Sequence, residues 1–195
     1  MRLHPDASAR PQMMLKDFLE RIFRPGHYAR RRRREFLDKH VGDFLAIPLA
    51  DGSSCGFARL IHSGYLACYD LKSESVPPLE QIESAKVLFT LGFNNRVIET
   101  GRWKILGNKP LPPELNVPVR FFREDPITGS ADIWVGDKRV PYAGEDLSKM
   151  ERWVSWDAPG IEERLSDHFA GKPNWRVESY KYPQRGRIPP LERKP

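Results

Sequence analysis

Between Gly42 and Asp70 the chain reads GDFLAIPLADGSSCGFARLIHSGYLACYD, in which hydrophobic and polar positions define three short strands separated by two turn signals. In the first run Phe44, Ala46 and Pro48 fall on one face and Leu45, Ile47 and Leu49 on the other, the period of two that a pleated strand imposes. Pro48 has no amide hydrogen to give to a ladder, which places this strand at a sheet edge. Asp51-Gly52 predicts a two-residue hairpin turn, because both residue types accept the positive φ that such a turn needs. The chain then returns through Phe57, Arg59 and Ile61. Ser63-Gly64 marks a second reversal into Tyr65, Ala67 and Tyr69, with Leu66, Cys68 and Asp70 opposite. The expectation is an antiparallel meander with one aromatic and one mixed face.

Downstream, Pro77-Pro78 opens a short helix through Leu79, Ile82 and Ala85, since proline is tolerated where a first-turn amide is unpaired anyway. The stretch Lys86 to Phe93 is apolar at nearly every position, as in a central strand covered on both faces. Asn94-Asn95 and Thr100-Gly101 punctuate two further short strands, the second being Trp103 to Leu106. Prolines 110, 112 and 113 break regular structure before an extended run from Val117 to Phe122. Asp125-Pro126-Ile127-Thr128-Gly129 has the residues of a bulged hairpin turn, so Phe121 and Phe122 should pair across to Ala131 to Val135. A helix is expected from Ala158 to Ala170, with Asp157 as cap, Ile161, Leu165 and Phe169 as its apolar stripe, and Gly171 and Pro173 as its stop. This inventory predicts an α+β fold with a strongly curved antiparallel β-sheet and two or three peripheral helices. An SH3-like partial barrel is one form such a sheet can take.

The series GDFLAIPLADG, GFARLI, ACYDLKS, PPLEQI, KVLFTLGFNN, GRWKILGNKPLPPEL, FFREDPITG and WVSWDAPGIEERLSDHFAG resembles the immunity protein 26 family of bacterial polymorphic toxin systems, over roughly Gly42 to Ser179. The order of the eight segments carries the resemblance, not any one of them. It implies an α+β protein, encoded beside a toxin, that binds and neutralises it without chemistry of its own. It supplies no catalytic residues.

Charge divides the chain in three. The formal charge is +6, but residues 1–40 hold 11 Lys/Arg against 5 Asp/Glu, residues 172–195 hold 7 against 2, and the middle, 41–171, holds 14 against 19. An acidic body therefore sits between basic ends, which matters because potential follows where charges lie. The organisation expected is a basic extension over 1–40, with a short amphipathic helix through Met14, Leu15, Phe18, Leu19, Ile22 and Phe23, then a single domain over 41–182. A disordered Pro/Arg-rich tail, PQRGRIPPLERKP, completes the chain from 183. The run Arg30, Arg31, Arg32, Arg33 and Arg34 has three readings: a solvated helix face, a contact with nucleic acid or anionic lipid, or part of a segment whose translation begins at Met13 or Met14. No stretch approaches the roughly 20 apolar residues of a membrane span, and residues 1–25 lack a signal-peptide core, so the expected compartment is the cytoplasm.

Chemistry is sparse. Cys55 and Cys68 have no metal or redox spacing and read as small buried hydrophobes. His4, His27, His40, His62 and His168 lack i, i+3 or i+4 ligand partners, so no metal site is expected. No glycine loop joins a strand to a helix for phosphate binding. Asp167-His168 point in different directions on a helix, and Glu162 and Glu163 read as its solvated face. No catalytic residue and no cofactor is therefore assigned. Interface chemistry is better represented: aromatic and arginine anchors dominate protein contacts, which singles out Arg102, Trp103 and Trp134, with Asp70 and Glu74 as carboxylates beside the third strand. Two functions follow. One is a non-enzymatic protein that binds a cognate toxin, possible targets including a nuclease, whose phosphate-binding surface an acidic body would suit. The alternative is a nucleic-acid-binding module that grips phosphates through Arg30 to Arg34 on a small β-barrel.

Overall fold

The computed structural model describes residues 35–182 apart from 126 and 137. The helix expected over 14–23, the arginine run at 30–34 and the tail from 183 lie outside the described residues.

The meander forms as its alternation requires. β1 (Asp43–Pro48), β2 (Cys55–Leu60) and β3 (Tyr65–Ser73) pair antiparallel in sequence, and β4 (Val87–Phe93) adds to the outer side of β3. β5 (Lys104–Asn108) returns to the far side of β1. A second antiparallel sheet consists of β6 (Arg120–Glu124), β7 (Ala131–Val135) and β8 (Lys138–Val140). Phe121 faces Trp134 and Phe122 faces Ile133 in it, as the turn chemistry predicted. The two-residue β9 (Ser155–Trp156) then runs parallel to β4, giving the first sheet the order β5-β1-β2-β3-β4-β9. The helices are α1 (Leu79–Ser84), α2 (Arg96–Glu99), α3 (Ala158–Phe169) and α4 (Trp175–Tyr180). The class is α+β.

Four expectations are corrected. The first sheet is open, with β5 and β9 at its edges, so it does not close into an SH3-like barrel. Its bend comes instead from register shifts at Phe44/Leu45, Gly56/Ala58 and Cys68/Tyr69, the local twist that an extra residue in one strand produces. β1 is an interior strand, and Pro48 is tolerated because β5 pairs only with Asp43 to Ala46. The turn after β1 is a six-residue loop, not a two-residue one: the Asp51 carboxylate accepts from the backbone N–H of Ser53 and Ser54 and from the Ser54 hydroxyl. Arg96 to Glu99 is a helical turn where a strand was expected; Asn94 Oδ1 receives the Arg96 N–H, and Val97 and Ile98 turn into the core together.

Both faces of the meander are covered, which explains why its strands are buried almost throughout. One face packs Leu45, Ile47, Ala58, Leu60, Leu66 and Cys68 against Ile161 and Leu165 of α3. Gly56 permits that approach: a Cβ there would stand 3.2 Å from a Leu165 methyl. Leu37, in a helical turn over residues 35–39, joins the same cluster, so packing begins before the charge boundary at 40. The other face gathers Phe44, Ala46, Phe57 and Tyr69 beneath Ile82 and Leu79 of α1.

A fully buried cation fastens this second face. Arg59 donates from Nη1 to Glu83 at 2.8 Å and from Nη2 to the carbonyls of Lys109 and Pro110 at 2.6 Å each, and its guanidinium lies 4.4 Å from the Phe44 ring centroid. Sequence adjacency cannot show this, because the partners are 24 to 51 residues away. Replacing Arg59 by alanine strands Glu83 and two carbonyls, so urea unfolding should report a loss of about 3 kcal/mol, the low end for a broken buried pair because Glu83 is partly wet. Arg59→Lys should recover little, since an ammonium lacks the planar fork. A loss below about 1 kcal/mol for Arg59→Ala, the worth of one ordinary hydrogen bond, contradicts the role.

The same network predicts an acid limb. The Lys109 ammonium, hydrogen-bonded to Glu83, holds that carboxyl below its usual 4.5 against the opposing effect of burial, with Arg59 adding to the lowering. Because the folded value lies below the unfolded one, the stabilisation is full above pH 4.5 and is lost as pH falls through the lowered value. The urea midpoint of the wild type should therefore fall more steeply between about pH 5 and 3 than that of Glu83→Gln. Parallel curves count against it.

Candidate partner-binding site

The predicted interface residues do not form one patch. Trp103 is 1% exposed and packs in the core, stacked on Phe93 with ring centroids 6.2 Å apart, so it is not a partner contact. Its indole N–H donates to Glu162 at 2.8 Å, and Arg102 grips the same carboxylate with Nε and Nη2 at 2.8 and 2.7 Å. Glu162 thus turns inward from α3 instead of lying on a solvated face. Burial alone would raise its pKa, and the hydrogen bonds from Arg102 and Trp103 outweigh that and lower it. The GRW unit is a clamp between β5 and α3.

Asp70 and Glu74 are exposed, but Asp70 is engaged by His168 Nε2 at 3.0 Å, which joins β3 to the end of α3. Among the described residues no hydrogen bond or ion pair engages Glu74. Arg30 to Arg34 lie outside the described residues. The Cys68 thiol is pushed up to about 12 by burial, which keeps it protonated and inert. Among the described residues no three His, Cys, Asp or Glu side chains gather as a metal ion would need.

Trp134 is half-buried and lies where it meets two other aromatic side chains. β7 sets it beside Phe121, and the following loop brings Trp153 onto it, the rings stacked 4.5 Å apart at 13°. A strap of residues 151–156 makes this possible. Phe122 N–H donates to the Glu151 carbonyl at 3.1 Å, Trp153 N–H donates to the Phe122 carbonyl at 2.7 Å, and Asn94 N–H donates to the Trp156 carbonyl at 3.1 Å. The strap therefore bonds β6 on one side and β4 on the other, joining the two sheets. Arg164 of α3 anchors it, donating to both Glu151 carboxylate oxygens at 2.5 and 3.1 Å while its guanidinium rests 3.6 Å from the Phe89 ring centroid. Arg120, Arg139 and Arg152 in this region are already paired, with Glu145, Asp132 and Glu124.

At the seam an open cleft of about 300 Å³ lies between Gly64, Tyr65 and Gly92 on one wall and Trp153, Val154 and Ser155 on the other. Tyr65 crosses the seam to Phe121, with ring centroids 5.0 Å apart. Gly92 keeps the walls close, because a Cβ there would meet the Val154 carbonyl at 3.2 Å. Trp153 is 38% exposed at the cleft, and Arg123 lies 5.7 Å from its ring centroid. Sequence reading passed over Tyr65, Arg123 and Trp153. The available signal was Trp153 beside Trp156 in WVSW, one outward and one inward across a short extended stretch.

The cleft is open to solvent and lined by the aromatic rings of Tyr65, Phe93 and Trp153. Residues 40–132, from just before β1 to the start of β7, match the family model Immunity protein 26. The strap and α3 follow the matched span. Comparisons with curated proteins and with solved structures returned no match.

The Trp103 clamp yields a direct test. Glu162→Ala leaves a buried indole N–H unanswered, so stability should fall by about 1–3 kcal/mol. Trp103→Phe, which removes that need, should make the added cost of Glu162→Ala smaller in a double-mutant cycle. Additive losses would rule out the coupling.

Proposed function

We propose that this protein is a cytoplasmic immunity protein that binds its cognate toxin and neutralises it by protein–protein contact, without catalysis. The match of residues 40–132 to Immunity protein 26 carries the reading. Two further observations support it. The excess of carboxylates over 41–171 suits a basic toxin surface such as that of a nuclease, since complementary fields speed encounter more than they deepen affinity. Among the described residues no helix is long and apolar enough to cross a membrane.

Within that reading Asp70 and Glu74 contribute to steering, and Trp134 and its neighbours to the contact itself. Co-expression with the product of the adjacent gene should abolish that product's toxicity, and the two should copurify. Charge reversals Asp70→Lys and Glu74→Lys should slow association severalfold at low salt and flatten its salt dependence, leaving dissociation nearly unchanged. Deleting residues 1–34 should leave neutralisation intact. Loss of neutralisation on that deletion, with the fold retained by circular dichroism, would favour the arginine run as the working surface and a nucleic acid as its partner.

A further inference from the structure

Among the described residues, two polar donors at the seam have no acceptor. Trp134 Nε1 is buried without an acceptor, which costs on the order of a tenfold or larger factor in folding equilibrium. Among the described residues no carboxylate or carbonyl accepts from Arg123, although it is an exposed guanidinium with five donors. Asp132, opposite Arg123 in the sheet, pairs with Arg139, and the Asp125 carboxylate is held in its own turn by the N–H groups of Ile127 and Thr128. The other arginines of this region are neutralised by their own carboxylates. An unanswered cation over an exposed tryptophan, beside a cleft of about 300 Å³ walled by Tyr65 and Trp153, is thus a mixed site for one apolar side chain and one anion.

We propose that this cleft is the anchor point for the toxin, and that it takes an aromatic or large aliphatic side chain flanked by an Asp or Glu, the side chain entering between Tyr65 and Trp153 and the carboxylate pairing with Arg123. The proposal rests on the toxin-binding reading above and names the surface and the chemistry. A protein segment fits better than nucleic acid for two reasons. Trp134 and Trp153 stack on each other, so each has only one ring face to offer a base, and a phosphate backbone would find most of the local cations already paired. The size suits one side chain, as a central hot-spot pocket requires. The carboxylates of the body, Asp70 and Glu74 among them, then speed encounter, and the cleft holds the complex.

The test measures binding of the adjacent gene's product to full-length wild type, Trp153→Ala, Arg123→Glu and Ser155→Phe, with single-stranded dT20 as a second probe and circular dichroism as the control on folding. Ser155 is exposed, so its substitution fills the cleft without removing a core contact. The expected result is a tenfold or greater weakening of toxin binding in each variant, chiefly through faster dissociation, with Arg123→Glu partly rescued by a charge reversal of an acid on the toxin. Wild-type binding that survives in Arg123→Glu and Ser155→Phe overturns the assignment of the cleft while leaving the immunity function standing. Absence of wild-type binding overturns the immunity function itself. Tight dT20 binding by the wild type, lost in the same variants, replaces the protein partner with nucleic acid.

Discussion

The contact between Arg164 and Glu151 is the constraint on which the rest of the seam depends. Arg164 leaves α3 nearly buried, and its charge is answered by a bidentate carboxylate and by the face of Phe89. Such a pair adds little net stability compared with well-packed hydrophobes, but it is costly to break and has one geometry. That geometry fixes the backbone of Glu151 at the edge of β6 and thereby the register of the strap. The strap then pairs with β4, so a helix, two sheets and an exposed tryptophan are placed by one ion pair. The Cys68 thiol lies near enough to feel both charges, which locates the pair against the main core.

Arginine plays this part more than once. Arg59 ties α1 and the proline-rich segment to one face of the meander, Arg102 ties β5 to α3, and Arg164 ties α3 to the strap. Each joins elements remote in sequence, and each answers a carboxylate or carbonyl that would otherwise be stranded. The meander itself depends on hydrophobic alternation, whereas its coverings are registered by these planar, directional contacts. This division accounts for a chain rich in charge that nevertheless buries both faces of its main sheet.

Most local signals in the sequence hold where the cause is local, the exception being Asp51-Gly52, whose loop the Asp51 carboxylate widens to six residues. The period-two alternation of β1 to β3, the Pro78 start of α1, the Asp157 cap of α3 and the Asp125 turn that pairs Phe122 with Ile133 all stand as expected. Elements decided by distant partners were not legible. The segment between Asn94-Asn95 and Thr100-Gly101 read as a strand, but its Val97 and Ile98 turn into the core on one helical turn. Glu162 read as solvated because its partners are 59 and 60 residues away. The strap has too few paired residues to show a period. Of the proposed contact residues, Trp134 was visible as an alternating aromatic, but its partner Trp153 comes from a loop, and Trp103, chosen by the same reasoning, is core. The cleft is also divided along the chain: Gly64, Tyr65, Gly92 and Phe93 lie within the span matching Immunity protein 26, and Trp153 to Ser155 lie beyond it.

Whether the strap makes one continuous surface of the two sheets is the central physical claim, and native-state hydrogen exchange on the free protein measures it directly. If the strap is integral, the amides of Asn94, Phe122 and Trp153 exchange only with the opening that releases β2 and β3, with a matching dependence on denaturant. Exchange of these three amides through a separate, low-energy opening, while β2 and β3 stay protected, would show that the strap is a loop resting on the sheets and would contradict the account.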